Sequence, residues 1–243
     1  MLDYTKTADE VVKESNELAI LPIGSTEQHG PHLPICTDIV VATEISKKIA
    51  EKTGGYLLPT LPISTCYEHK GKKGSVWMRP STLYNVIEDI VLCLKSQGFK
   101  KVAVVLGHGG IFIATPVIRE LNAMHDDLKV AKIDFLQFFQ TKEMNEILES
   151  KDNIHACEYE TSLMLYFNEE YVKKDKIKEA DFVPDCPRDF LNYASLVKLS
   201  DTGVWGKSSL GTKEKGEKIA KVLVDKSIEY MNNVFDTMDY KAW

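Results

Sequence analysis

Residues 101–107 read KVAVVLG, an almost unbroken run of apolar side chains that ends at a glycine. Two runs of the same character precede it, ELAILPIG at 17–24 and GYLLPTLPI at 55–63, and KVAKIDFL at 129–136 is a fourth strand candidate. Strands that are apolar on both faces are typical of a parallel sheet covered by helices on both sides. The four runs therefore predict the centre of such a sheet.

Amphipathic stretches alternate with these runs. Helical patterns fall at about 39–53, 80–98, 113–125, 141–149, 158–168 and 213–232. The alternation predicts an α/β fold, a three-layer α/β/α sandwich with a mostly parallel central sheet. At this length a single domain over residues 1–243 is expected. Segment 181–212, rich in proline and glycine, is expected to be a long irregular excursion that serves the function or an interface.

The composition argues against a nucleic-acid-binding, membrane-bound or secreted protein. Of the 243 residues 44% are hydrophobic, and the formal net charge of -6 comes from interspersed acidic and basic residues. Such a surface favours neither nucleic acid nor an anionic membrane as a partner. The sequence contains no secretory signal and no apolar run of about 20 residues. Five widely spaced cysteines without a CxxC pair indicate free thiols, and a cytoplasmic location is expected.

Histidine and acidic residues follow the strand candidates directly. In IGSTEQHGPHLPICTDI at 23–39, Glu27 and His29 project from one face of an extended segment, and Asp38 begins a helix. His108 comes after KVAVVLG, beside glycines that allow close approach to a ligand. Ligands bind outside the carboxyl ends of parallel strands. These four residues are candidate ligands for zinc, manganese or iron. A polar βα loop with Asp38 as the helix N-cap, and a plain glycine-rich turn, stay open as alternatives.

A third segment, KDNIHACEYETSLML at 151–165, brings His155, Glu158 and Glu160 to the entry of a helix. The helix dipole alone would explain acids in a first turn. A histidine three residues before an acid would also supply a ligand and a proton carrier. Glu160 is assigned to the helix entry or to contacts behind the ligands rather than to direct ligation.

Four stretches resemble, in order, the signatures of the creatininase (creatinine amidohydrolase) family. GSTEQHGPHLPICTD is similar to E-x-H-G-x-H-L-P-x-x-T-D, and GKKGSVWMRPSTL at 71–83 to F-P-G-T-I-S-L-R-P-x-T-L. LGHGG is similar to N-G-H-G-G-N, and HACEYETS to H-A-G-E-x-E-T-S. A weaker match, GVWGKSSLGTKEKG at 203–216, resembles the tail of the family. Together they run from about residue 20 to residue 220.

The resemblance implies a three-layer α/β/α hydrolase with two divalent metal ions per subunit, commonly assembled as a homo-hexamer. By position, one ion would be held by Glu27 and His108 and the other by His29 and Glu158, with Asp38 as the bridge. Some family members place the fifth acid two residues after the histidine of the glycine-rich motif. That position is Gly110 here, which makes Glu158 the fifth ligand expected.

His155 matches the catalytic histidine of the family, and Asp152 matches an acid three residues before it. Two ions would make hydroxide available at neutral pH, His155 would protonate the departing nitrogen, and Asp152 would orient His155. The expected reaction is hydrolysis of a C–N bond in a cyclic amide or a formamide. The alternatives are a formamidopyrimidine-nucleotide deformylase, an enzyme acting on a sugar- or inositol-derived ketone, and a non-catalytic metal-binding assembly protein.

A small-molecule substrate is expected to contact His69, Gly109 and Lys73. His69 lies among basic residues in YEHKGKKG, which indicates an exposed loop, and the neighbouring lysines would attract an anionic substrate or simply be solvated. His32 either points into the pocket or packs beneath its loop. Lys73 replaces a proline of the family pattern, and such departures near the pocket argue against creatinine itself as the substrate.

Overall fold

The computed structural model describes residues 1–14 and 16–239. Its sheet contains the strands β1 (Leu18–Ile23), β2 (Tyr56–Leu57), β3 (Lys101–Leu106) and β4 (Lys129–Asp134). All pairs are parallel, and the strand order is β2-β1-β3-β4. Ile23 lies opposite Leu106, so β1 and β3 end side by side. Whatever follows these two strands is thereby brought to one edge of the sheet.

Nine α-helices lie within the described chain. They are α1 (Ala8–Glu14), α2 (Thr37–Thr53), α3 (Pro80–Ser96), α4 (Ala114–Met124), α5 (Lys142–Ile147), α6 (Glu158–Phe167), α7 (Ile177–Ala180), α8 (Leu196–Leu199) and α9 (Lys213–Asp239). Over residues 1–14 and 16–239, no helix has both the length and the apolar character needed to cross a membrane.

Different helices cover the two faces of the sheet. Ile20 and Val105 pack in one apolar cluster with residues of α2, α6 and α9. Leu21 follows Ile20 in β1, and Val104 precedes Val105 in β3. These two residues pack in a second cluster with residues of α3 and α4. Side chains of a strand alternate between its faces, so the two clusters lie on opposite sides. The expected three-layer α/β/α sandwich with a parallel sheet is confirmed.

The second strand is much shorter than the run 55–63 predicted, because proline lacks the N–H that a strand donates to its neighbour. Pro59 and Pro62 interrupt the run, and only Tyr56–Leu57 pairs as a strand. The chain still follows β1 beyond that point: Leu58 N donates to Ile20 O at 3.0 Å, and Leu61 N donates to Pro22 O at 3.0 Å.

The C-terminal half also differs in detail from expectation. The last helix extends to Asp239 rather than ending near residue 232. Segment 181–212 contains only α8 and two 3-10 turns, Arg188–Asn192 and Ser208–Leu210. The long irregular excursion predicted there is confirmed.

Glycines at the ends of two strands let the start of α2 approach the sheet. A Cβ atom on Gly24 would lie 2.7 Å from Ile39 Cα, and one on Gly107 would lie 2.6 Å from Asp38 O. Contacts this short are sterically forbidden, so a side chain at either position would push α2 away. The two glycines thereby place Asp38 between the ends of β1 and β3.

Candidate functional site

Acids and a histidine meet at this edge of the sheet. Glu27 follows β1, His108 follows β3, and Asp38 lies in the first turn of α2. Their exposed fractions are 0%, 8% and 2%. Cys36 is the N-cap residue of α2, and it makes no side-chain capping bond. The alternative that Asp38 serves as the N-cap is therefore wrong.

Asp38 faces two imidazole rings, one with each carboxylate oxygen. Its Oδ1 lies 3.1 Å from His29 Nε2, and its Oδ2 lies 3.4 Å from His108 Nδ1. Glu27 Oε1 approaches His108 Nδ1 from the other side, at 3.1 Å. One carboxylate between two sets of nitrogen and oxygen donors is the arrangement that a bridge between two ions requires.

Several buried oxygen atoms of this cluster have no hydrogen-bond partner among the described residues. They are both carboxylate oxygens of Glu27 and Oδ2 of Asp38. The imidazole nitrogens near Glu27 stand close to it, but not in hydrogen-bonding geometry. Burying a carboxylate without a partner or a counter-ion is costly. These oxygens therefore fit a bound cation, and carboxylate with imidazole is a donor set for a divalent transition metal.

Contacts on the far side of two rings fix which nitrogen atom faces the cluster. His29 Nδ1 donates to Glu27 O at 3.1 Å, so Nε2 is left to face Asp38. His108 Nε2 lies 3.1 Å from Glu68 Oε1, close to it but outside hydrogen-bonding geometry, and Nδ1 faces Glu27 and Asp38. Metal-binding histidines are typically held this way, by a carbonyl or a carboxylate behind the ring.

The electrostatics of the cluster favour added positive charge. Burial lowers the pKa of both His29 and His108, but the nearby carboxylates of Asp38 and Glu27 outweigh burial and raise the pKa of each ring well above 6.5. Burial raises the pKa of Glu27, while the charges of His108 and His69 hold it well below its usual range. A divalent cation would supply the positive charge that these carboxylates attract.

The structure places Glu160, rather than Glu158, at the cluster. Glu160 Oε1 lies 3.8 Å from His29 Nε2, and His29, Asp38 and Glu160 form one of the groups whose donor atoms lie within 4.8 Å of one another. Glu158 is completely buried, but it accepts hydrogen bonds from Ser150 N at 2.8 Å and Lys215 Nζ at 2.5 Å. Glu158 as fifth ligand stays a prediction, and this geometry favours Glu160 instead because the carboxylate of Glu158 is already hydrogen-bonded elsewhere.

His155 lies at the cluster, but Asp152 does not orient it. His155 Nε2 donates to Gln28 O at 2.7 Å, so its Nδ1 faces Glu27 Oε1 at 3.7 Å. Burial, together with the charges of His29 and His69, holds the pKa of His155 well below 6.5. Asp152 is exposed, and its carboxylate makes no hydrogen bond to His155 within the described part of the chain. The orienting group that the sequence reasoning missed is the backbone of Gln28.

A strained residue connects His155 to α6. Ala156 has φ of 50°, a left-handed conformation that no other non-glycine residue of the described chain adopts. Such a conformation costs about 1–3 kcal/mol and persists where the surroundings impose it. Here Ala156 N donates to Glu160 Oε2, and Ala156 O accepts from Ser208 Oγ at 2.8 Å. The bend directs both His155 and Glu160 to the cluster.

The residues expected to contact substrate are divided between two cavities. His69 and Gly109 line a cavity of about 960 Å³ together with His108 and His155. Lys73 lines a second cavity, of about 480 Å³, with Lys72 and Gly30. His69 is buried rather than exposed, with its Nε2 3.0 Å from Glu27 Oε1.

His32 does not point into either of these cavities. Its ring is buried beneath the loop, and its Nε2 lies 2.9 Å from Thr161 Oγ1. Burial lowers the pKa of His32 to about 4. The expectation that it packs under the loop, rather than facing substrate, is the one that the geometry supports.

Comparison with known proteins identifies the family of this chain. The sequence pattern of the creatininase family, described as creatinine amidohydrolase, matches residues 3–231. The chain belongs to the creatininase family. A creatinine amidohydrolase from Pseudomonas putida is 26% identical over 221 residues, which cover 84% of this chain and 85% of that protein. The chain is accordingly an amidohydrolase of the creatininase type, a hydrolase of non-peptide C–N bonds.

Two further relatives extend the comparison. The 2-amino-5-formylamino-6-ribosylaminopyrimidin-4(3H)-one 5'-monophosphate deformylase of Methanocaldococcus infernus is 34% identical over 134 residues, covering 55% of this chain and 58% of that protein. A solved structure of creatininase with manganese has a TM-score of 0.81 and 22% identity, and it covers 96% of this chain and 98% of its own. At that identity the structural likeness shows the fold alone.

Glu68 occupies the space beside Gly110, the position at which some members of the creatininase family carry an acid. A Cβ atom on Gly110 would lie 2.1 Å from Glu68 Oε1 and 2.3 Å from His108 Nε2. The carboxylate of Glu68 therefore reaches from the loop after β2 into space that a side chain at residue 110 would fill. No sequence signal singled out Glu68, since its loop neighbours are basic and it follows no buried strand.

Replacing Gly110 by alanine is expected to weaken metal binding by about 10–100-fold, the usual effect of disturbing a group that holds a ligand. The added methyl group would displace Glu68 or tilt the ring of His108. Competition with a chelating dye measures the effect. Gly109→Ala is the matched control, because a Cβ there meets Leu136 and Arg188 but not His108. Equal metal affinity of the two variants would contradict this role of Glu68.

Proposed function

We propose that this protein hydrolyses a C–N bond in a cyclic amide or a formamide, using two divalent metal ions. Glu27, Asp38 and His108 would hold one ion, and His29, Asp38 and Glu160 would hold the other. The observation that carries the proposal is the set of buried, unpartnered oxygen atoms on Glu27 and Asp38. Zinc, manganese and iron all suit these donors.

When bound, such ions lower the pKa of a water molecule towards neutrality and polarise a carbonyl group. The chain supplies the proton transfer. His155 is held by Gln28 O through Nε2, which leaves Nδ1 free to accept a proton at the cluster and pass it to the departing nitrogen. Because the ring is buried and its pKa is low, His155 begins the cycle neutral.

The remaining residues of the cluster position the reacting groups. Gln28 Nε2 donates to Gly203 O at 2.9 Å, which anchors the segment that carries the Gln28 carbonyl. His69 stands behind Glu27, and Glu68 stands behind His108. These contacts would hold the donor atoms in place before substrate arrives, which is how a preorganised site lowers a barrier.

A deformylase acting on a formamidopyrimidine nucleotide is the second candidate. The relative from Methanocaldococcus infernus, named for that reaction, has the highest identity among those described above. A sugar- or inositol-derived ketone as substrate and a homo-oligomer such as a hexamer stay predictions of the family resemblance.

Elemental analysis combined with a substrate screen tests the proposal. We expect about two divalent ions per chain in protein purified without chelators, because each half of the cluster has its own donor set. Treatment with EDTA is expected to abolish hydrolysis of a responsive cyclic amide or formamide, and metal addition to restore it. Fewer than about one ion per chain after anaerobic purification would contradict the two-ion site.

A further inference from the structure

The cavity that opens onto the cluster is larger than a small cyclic amide needs. It has a volume of about 960 Å³, and its walls come from residues 67–71, 108–110 and 188–198. Pockets of about 300–1,000 Å³ hold ligands of drug size. The outer walls are formed by the irregular excursion before α9 and by the part of the loop after β2 that follows Glu68 and His69.

The lining of this cavity outside the cluster is cationic, although the protein as a whole is acidic. Lys70, Arg188 and Lys198 line it, against a single further acid, Asp189. Asp189 Oδ1 accepts from Asn192 Nδ2 at 2.7 Å. Among the described residues, none of the three cations has a carboxylate oxygen within 4.0 Å. With a net charge of -6 on the chain, three unpaired cations in one cavity indicate a place for negative charge.

Arg188 lies close to the reacting centre. A Cβ atom on Gly109 would be 3.6 Å from Arg188 Nη2, and Gly109 is the neighbour of His108. The guanidinium group therefore lies over the glycine-rich turn, next to a proposed metal ligand. Arginine binds phosphate and carboxylate through two parallel hydrogen bonds, which makes it the strongest of the three cations for such a group.

We propose that the substrate of this enzyme carries an anionic oxygen group, with the chemistry of a phosphate monoester, which Arg188 binds with support from Lys70 and Lys198. This inference rests on the proposed function, because it places the anionic group at one end of a substrate whose amide lies at the metal cluster.

Binding of inorganic phosphate to the metal-loaded full chain, measured by isothermal titration calorimetry, tests the proposal. Arg188→Gln is expected to weaken phosphate binding by about tenfold, the usual effect of losing one charged hydrogen-bonding partner. Arg119→Gln is the matched control, since Arg119 is exposed on α4 and does not line the cavity. It is expected to bind phosphate as the unaltered protein does. Lys70→Gln and Lys198→Gln are expected to weaken binding by smaller factors.

Equal phosphate affinity of the unaltered protein and Arg188→Gln would overturn the proposal, because binding would then be at the metal ions alone. Absence of measurable phosphate binding would overturn it as well. Once a hydrolysed amide is known, Arg188→Gln should raise KM for an anionic substrate by a larger factor than KM for a neutral one. A lack of amide hydrolysis would refute the proposed function but leave the phosphate measurement interpretable, so the two failures are distinguishable.

Discussion

Glu160→Gln is expected to remove one of the two proposed metal ions and nearly all activity. Glu160 Oε1 faces His29, and these residues share a donor set with Asp38. Loss of a group that merely holds a ligand weakens metal binding about 10–100-fold, so loss of a direct ligand should exceed about a hundredfold at this ion. Metal content by elemental analysis and metal affinity by competition with a chelator measure the change.

Glu158→Gln is the matched control, only two residues away on the same helix. Its carboxylate is bound by Lys215 and by the amides of Glu149 and Ser150. We expect this variant to keep its metal ions but to unfold more easily, by about 2 kcal/mol, because a buried charged hydrogen bond is weakened. Chemical denaturation measures that loss. If Glu158→Gln lost metal and Glu160→Gln kept it, the assignment of the fifth ligand would revert to Glu158.

His155→Asn is expected to lower kcat by about 10²–10⁴-fold, the range that a positioned acid–base group contributes. The imidazole Nδ1 faces the cluster, and no other group of the cavity is held by a carbonyl in the same way. Metal content is expected to stay unchanged, so the loss would arise from proton transfer. Steady-state kinetics with elemental analysis of the same preparation separates the two effects.

Asp152→Asn supplies the comparison for that variant. The side chain of Asp152 is exposed and makes no hydrogen bond to His155 in the described chain, so kcat should equal that of the unaltered protein. A metal-depleted His155→Asn protein would indicate instead that His155 is a ligand, since Glu27, His29 and His155 also bring donor atoms within 4.8 Å. A marked loss in Asp152→Asn would restore its orienting role.

The architecture and the core of the site could be predicted because burial leaves a direct trace in sequence. A strand buried on both faces must be apolar throughout, as KVAVVLG is, and the residues after it must lie at one sheet edge. Glu27 and His108 follow such strands, and the register of β1 with β3 brings them together. The predicted second strand was too long. Its apolar residues extend over 55–63, but Pro59 and Pro62 cannot donate backbone hydrogen bonds, and only Tyr56–Leu57 pairs as a strand.

The remaining differences between expectation and structure concern which way a side chain points, rather than where its residue lies along the chain. Glu158 and Glu160 are two residues apart on α6, so they face opposite sides of the helix, and the sequence does not say which side meets the sheet. Glu68 and Arg188 come from irregular segments, whose path depends on tertiary packing. His69 shows the same limit: its basic neighbours are exposed, while its own ring turns inward to Glu27.

The donors of the cluster come from the segments after β1 and β3 and from α2 and α6, so the ions proposed there would bind the folded chain and not the unfolded one. Ligand binding of that kind adds about 2.7 kcal/mol of stability when the free ion stands at a hundred times its dissociation constant. A shortage of metal would then lower the stability of the fold as well as the activity. It would leave the buried oxygen atoms of Glu27 and Asp38 without the cation that they fit, and it would make the chain easier to unfold and to proteolyse. The amount of protein in a cell, as well as its turnover rate, would follow the metal supply.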